Sequence, residues 1–376
     1  MACKQNLQVL PLSSAFPTFS ATPTPTDAIP TTPTATPTAS RTPAWQNAGY
    51  AGEAGVGYSN VSLKVYNGTP YLAYVDSDHL TRISVRLFNG SDWVYVGGAG
   101  FSGDWADDPS LDIYNGTPYV AFQDGMDTYQ ASAMMFDGAS WVYVGSPKFS
   151  ASQADYITLC VYNGTPYVAY QDVLLSHKTT VMMFNGSDWA NVGSPGFSSS
   201  GAYTPSLSVY NGTPYVAFRD DASGEKATVM MYDGSDWVNV GSPGFSTGVA
   251  YFTSLKVYNG TPYVAYSDTS YGGKVVVMKF DGSSWVNVGS PGFSAGDANY
   301  ISLDIDAGTP YVAYQDAMGA NKATVMVFNG SDWVDVGDSG FSMDVASYTS
   351  LDVYNGIPFL AYLDGYFTRN TVMKYE

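Results

Sequence analysis

A Gly-x-Pro triplet returns every 48 residues in this chain, starting at Gly68, Gly116, Gly164, Gly212, Gly260, Gly308 and Gly356. A fixed period of this length means one supersecondary unit built seven times, each copy burying a face against the next. One period, read from Trp285, runs WVNVGSPGFSAGDANYISLDIDAGTPYVAYQDAMGANKATVMVFNGSD. Four short apolar runs stand out in it: SLDI, PYVAY, TVMVF and WVNVG. Each is rich in Val, Tyr, Phe or Trp and shorter than a normal helix, so each reads as a strand. Asn-Gly and Asp-Gly pairs, as in VYNGTP and FNGSDW, suit positive φ and make tight hairpins. The repeat therefore predicts a four-stranded antiparallel meander without helix, its strands running A, B, C, D in the order given.

A four-stranded unit of this length, repeated, is the blade of a β-propeller. The Trp opening strand D recurs at Trp45, Trp93, Trp141, Trp189, Trp237, Trp285 and Trp333, and only Trp105 falls outside the series. The last repeat stops after strand C, and the first Trp opens a D strand with no A–C before it. The expected fold is all-β: a seven-bladed β-propeller of four-stranded antiparallel blades, closed by the N-terminal strand around Trp45 completing the last blade. Closure also removes two free strand edges.

Residues 41–376 hold this propeller, and residues 1–40 form a disordered N-terminal tail with a Thr/Pro-rich stalk. Pro fixes φ and removes N–H donors, so the tract SATPTPTDAIPTTPTATPTASRTP is extended and cannot pack. With 45% hydrophobic residues, 15% aromatic and only 13% charged, the rest is rich enough for a large core. The formal charge of −18 argues against nucleic acid and anionic membrane surfaces, which need clustered Lys and Arg. No apolar stretch reaches the roughly 18 residues of a membrane span. Two cysteines, Cys3 and Cys160, exclude a disulfide framework and a Cys-based zinc site, and Cys160 is expected as a reduced thiol.

The pattern GTPYVAY…NGSDWVNVGS resembles propeller repeats in uncharacterised secreted or surface proteins of bacteria, over residues 45–376. That resemblance implies the fold and an extracellular or cell-surface location, but no particular activity. The architecture is similar to that of lectin, sialidase and WD40-type propellers. Their motifs differ: sialidase boxes separate Asp from Trp, whereas NGSDW joins them, and WD40 blades end in Trp-Asp. Cys3, ahead of the stalk, resembles the acylated cysteine of a bacterial lipoprotein whose signal is missing from this sequence, which implies lipid attachment there. The alternative is a free thiol in the tail.

Function on a rigid scaffold sits in loops. The A–B and C–D turns scarcely vary between repeats, whereas the B–C and D–A loops differ, and these share one face. Candidate ligand-binding residues on that face are Trp105, Asp107, Gln123, Asp155, Tyr156, Gln171, Tyr203, Arg219, Tyr251, Asn299, Tyr300, Gln315 and Tyr348. Aromatic surfaces beside amides suit sugar rings or protein partners. The Asp that ends strand B in every repeat, from Asp76 to Asp364, reads as an acceptor for loop N–H groups. Strand A carries Lys64, Asp112, Cys160, Ser208, Lys256, Asp304 and Asp352 at one position, expected as a polar lining of the channel. Two histidines, His79 and His177, supply neither a metal set nor a Ser–His–Asp triad, so neither catalytic residues nor metal nor cofactor are expected. The sequence thus predicts a monomeric, non-enzymatic binding module for a glycan or protein ligand. The alternatives are a polysaccharide-active hydrolase with an acidic pocket at the channel mouth, and a purely structural or adhesin scaffold.

Overall fold

The computed structural model describes residues 42–57 and 59–376; the Thr/Pro stalk and Cys3 lie outside the described residues. Seven sheets of four antiparallel strands form the ring. In blade 3, strand A spans Ala154–Tyr162, B Thr165–Asp172, C Lys178–Phe184 and D Trp189–Asn191. Asn163 and Gly164 have φ of 49° and 79°, which makes the A–B connection a type I′ turn. The last blade takes strands A to C from Ala346–Tyr354, Ile357–Asp364 and Arg369–Tyr375, and strand D from Trp45–Asn47. Trp45 pairs with Tyr375 and Asn47 with Met373, so the ring closes as expected.

The core lies between blades. Seven apolar clusters fill the seven junctions, each drawing side chains from two neighbouring sheets. At the first, Val75, Ile83 and Val85 of blade 1 meet Leu111, Val120 and Phe122 of blade 2. The strand-D tryptophans join the blades. All seven indole N–H groups donate to a carbonyl of the preceding blade at 2.6–2.8 Å. Six of these rings also stack on a Phe from that blade, as Trp141 does on Phe101 at 4.0 Å. The first period departs at Gly55, whose φ of 148° and whose missing Cβ, 2.3 Å from the Tyr74 ring, both demand glycine. Its carbonyl accepts from the Asn370 N–H at 2.8 Å and so ties the seam.

Several expectations need correction. Helix is not wholly absent, because the B–C loops at Ser77–His79, Asp221–Ser223 and Thr269–Tyr271 each form one 3₁₀ turn capped by the preceding Asp. Strand D is only three residues long, and strand A is longer than its apolar run. In blades 2–7 strand A begins four residues earlier, at Ala106 or its equivalents, and carries a β-bulge. Cys160 is disulfide-bonded rather than a reduced thiol. The strand-A polar position is buried, not a wet lining, and its carboxylates hold blades together. Asp112, Asp304 and Asp352 each accept the N–H of the next blade's Val161, Val353 or Val65 at 2.7 Å.

The repeated Asp at the end of strand B is buried in all seven blades. In blades 1, 4, 5, 6 and 7 it accepts a loop N–H, as Asp268 does from Ser270 at 2.8 Å, which is the role expected of it.

Trp45→Ala tests the closure. It removes the indole bond to Val336 and the stack on Phe341. Urea unfolding should show a loss of about 3 kcal/mol, the lower end for a large aromatic because Trp45 is only partly buried. A loss below about 0.5 kcal/mol, the size of an ordinary surface change, would mean the seam does not hold the ring.

Candidate functional site

In blades 2–7 the bulge in strand A aims one residue at the central channel. In blade 3, Tyr156 and Ile157 together oppose Tyr170, and Tyr156 is forced to φ 54°. Asp108, Thr204, Phe252, Tyr300 and Tyr348 stand at the same repeat position with φ between 50° and 57°. None of the six is glycine, and left-handed backbone costs an L-residue roughly 1–2 kcal/mol. Blade 1 has Asn60 there. These residues and their neighbours line one pocket of about 380 Å³ at the channel mouth, to which every blade contributes.

The pocket has two unlike sides. Phe252, Tyr300 and Tyr348 form an aromatic arc over blades 5–7, with ring centroids 5.5 and 4.8 Å apart. Across from it, blade 2 contributes Asp108 to the lining, with Asp107 and Asp155 just behind it, and amides and hydroxyls hold all three. Asp108 accepts from Asn60 Nδ2 at 2.8 Å and from the Ile157 N–H at 2.5 Å. Asp107 accepts from Ser59 at 2.9 Å. Asp155 accepts from Gln123 at 3.0 Å and Gln153 at 2.9 Å. Burial pushes the Asp108 carboxyl up to about 7, against the Ile157 and Asn60 hydrogen bonds that favour its charged form. The Tyr156 hydroxyl is raised too, by burial first and then by Asp155 and Asp108.

Of the residues predicted for this face, Tyr156, Tyr300 and Tyr348 line the mouth. Asp107, Asp155, Tyr203, Tyr251 and Asn299 lie one step back in strand A rather than in loops. Gln123, Gln171 and Gln315 are buried, and each donates Nε2 to the strand-A carbonyl of the next blade, at 3.0–3.2 Å. Their amides brace junctions. Arg219 replaces that Gln in blade 4 and lies between two rings, 4.6 Å from Tyr203 and 5.0 Å from Tyr251. Trp105 sits farther out, edge-on to Tyr129 at 5.6 Å. Asn60, Asp108 and Thr204 were not foreseen. Comparing the repeats column by column would have shown this position changing from Asn through Asp, Tyr and Thr to Phe.

Two other hollows are less distinctive. One of about 500 Å³ lies between blades 5 and 6 on the same face, beside Tyr251, Asp297 and Asn299. One of about 660 Å³ opens among Gly260, Thr261, Pro262 and Tyr263, which recur in most repeats and so belong to the scaffold. The histidines stay apart, His79 at 3.0 Å from Asp76 in blade 1 and His177 near Tyr203. No helix among the described residues is long and apolar enough to cross a membrane.

No family model matches the chain, and no curated protein matches it. Solved structures do. A PL25 ulvan lyase bound to -[GlcA(1-4)Rha3S]- gives a TM-score of 0.54 at 12% identity, covering 87% of this chain and 95% of its own. Polysaccharide lyase Uly1 gives 0.52 at 10% identity, covering 85% and 90%. The SapL1 lectin in complex with alpha methyl fucoside gives 0.51 at 14% identity, covering 77% and 99%. At such identities the likeness is one of fold.

Asp108 gives the site a pH signature. Its folded value of about 7 stands above the ordinary 3.8, so the folded chain keeps a proton that the unfolded chain has released. The Asp108 contribution to stability is therefore highest in acid and is lost as pH rises from about 4 to 7. Unfolding free energies of wild type minus Asp108→Asn should decline between about pH 4 and 7 and level off above that. A difference that stays flat would contradict the raised carboxyl.

Proposed function

We propose that this chain is a carbohydrate-binding propeller, displayed outside the cell as a monomer, that takes one saccharide segment at the channel mouth. The observation that carries the reading is the split pocket. Aromatic faces pack against the C–H faces of a pyranose, while the Asp108 carboxyl and the Asn60 amide that line the same hollow serve its hydroxyls. The mouth sets both within one open hollow of about 380 Å³. Seven backbones hold it, so little ordering is left to the moment of binding. Lectin and polysaccharide-lyase neighbours show that the same architecture serves glycans elsewhere.

A glycan-cleaving enzyme is the second reading, favoured by the Asp108 carboxyl near neutrality inside the pocket, where a general acid would need it. Reducing-end release by wild type, absent in Asp108→Asn, would establish it; its absence across bound glycans leaves the binding module.

Tyr300→Gly and Tyr348→Gly separate binding from folding. Glycine relieves the left-handed backbone, which offsets the lost ring packing, so stability should change by less than about 1 kcal/mol. Affinity for any glycan found by array screening should fall about tenfold for each, read by calorimetry. Unchanged affinity in both would move the site away from the mouth.

A further inference from the structure

The chain is acidic, with 33 Asp and Glu against 15 Lys and Arg, yet its cations are not scattered. Strand C opens with Arg82, Lys178, Lys226, Lys274, Lys322 or Arg369 in six of the blades, at the end next to the B–C loops. None of the six pairs with a carboxylate among the described residues. Closer to the mouth lies Arg219. Two tyrosine faces grip its guanidinium at 4.6 and 5.0 Å. Its ion pair with Glu225 is long, 3.5 Å, and the Glu is half exposed. Its Nε is buried and has no hydrogen-bond partner among the described residues. The Tyr156 hydroxyl of the mouth rim feels its charge.

A guanidinium has five donors in a planar fork that matches carboxylate and sulfate oxygens. Here it is already stacked and partly desolvated, with donors unspent, which is the preorganised form of an oxyanion site. Blades 2, 3 and 6 have Gln at this position, bracing the junction. Blade 4 has given up that brace.

We infer that the saccharide bound at this face is an acidic one, and that Arg219 docks its carboxylate or sulfate group while the neighbouring ring lies over the mouth. This rests on the glycan-binding reading above. With a net charge of −18, general polyelectrolyte attraction works against such a ligand, so its retention requires a local contact. That contact survives at physiological salt, where the Debye length is about 8 Å and distant repulsion is screened.

The test uses the full chain and paired probes: hexagalacturonate with its methyl ester, and sulfated with unsulfated maltohexaose. At least one acidic probe should bind about tenfold more tightly than its neutral partner, and whichever pair shows this identifies the oxyanion. Arg219→Gln, a residue that blades 2, 3 and 6 already accommodate, should keep the melting temperature and erase the preference; Arg219→Lys should keep part of it. Equal affinity for acidic and neutral members, or a preference that persists in Arg219→Gln, overturns the inference and leaves glycan binding standing. Failure of all four probes and of a neutral glycan array overturns both.

Discussion

At each of seven junctions a tryptophan N–H on one blade meets a backbone carbonyl on the blade before it. Each bond is made between sheets whose apolar faces would otherwise stand in water. Leaving such a carbonyl buried and unpaired costs about 1–3 kcal/mol. No repeat can satisfy its own tryptophan, so every blade depends on its neighbour and the array has to close. Trp45 closes it, reaching Val336 across 291 residues of sequence. A row of hydroxyls repeats the logic nearer the axis: Ser62, Ser110, Ser206, Ser254, Ser302 and Ser350 each accept the Leu N–H of the next strand A.

A ring held this way can keep backbone that a looser fold would release. Six side chains at the mouth sit in left-handed conformation, among them a β-branched Thr204 and four aromatics. Strain of this kind persists only where the surroundings over-determine it, and it gathers at functional sites. Here it has a visible effect. Without the bulge the strand would keep its period of two and these side chains would not line the channel together. Strain and pocket are thus links of one chain, beginning at the junctions.

The sequence made the scaffold legible because its signals are local. Asn-Gly turns, β-branched runs and the 48-residue spacing of Trp name the hairpins, the strands and the blade count without reference to any distant contact. The orphan D strand at Trp45 made even the closure readable. The site was harder. Its half of strand A reads as loop, since a bulge breaks apolar alternation and residues such as Asp155-Tyr156 lack a strand's composition. Tyr156 and Tyr300 share a pocket 144 residues apart in sequence, and nothing near either one announces the other. Gln123 and Gln171 show the opposite confusion: amides beside aromatics look like ligand contacts, yet the geometry spends them on the next blade. Arg219 becomes informative only against those glutamines.

On the function proposed above, seven near-equal blades converge on one unequal site. A crystal structure of the chain with a bound oligosaccharide tests it most directly. Sugar density is expected at the channel mouth, one ring over Tyr300 and Tyr348 with hydroxyls toward Asp108, and one segment per chain. Sugars repeated between several pairs of blades, with the mouth empty, would contradict it.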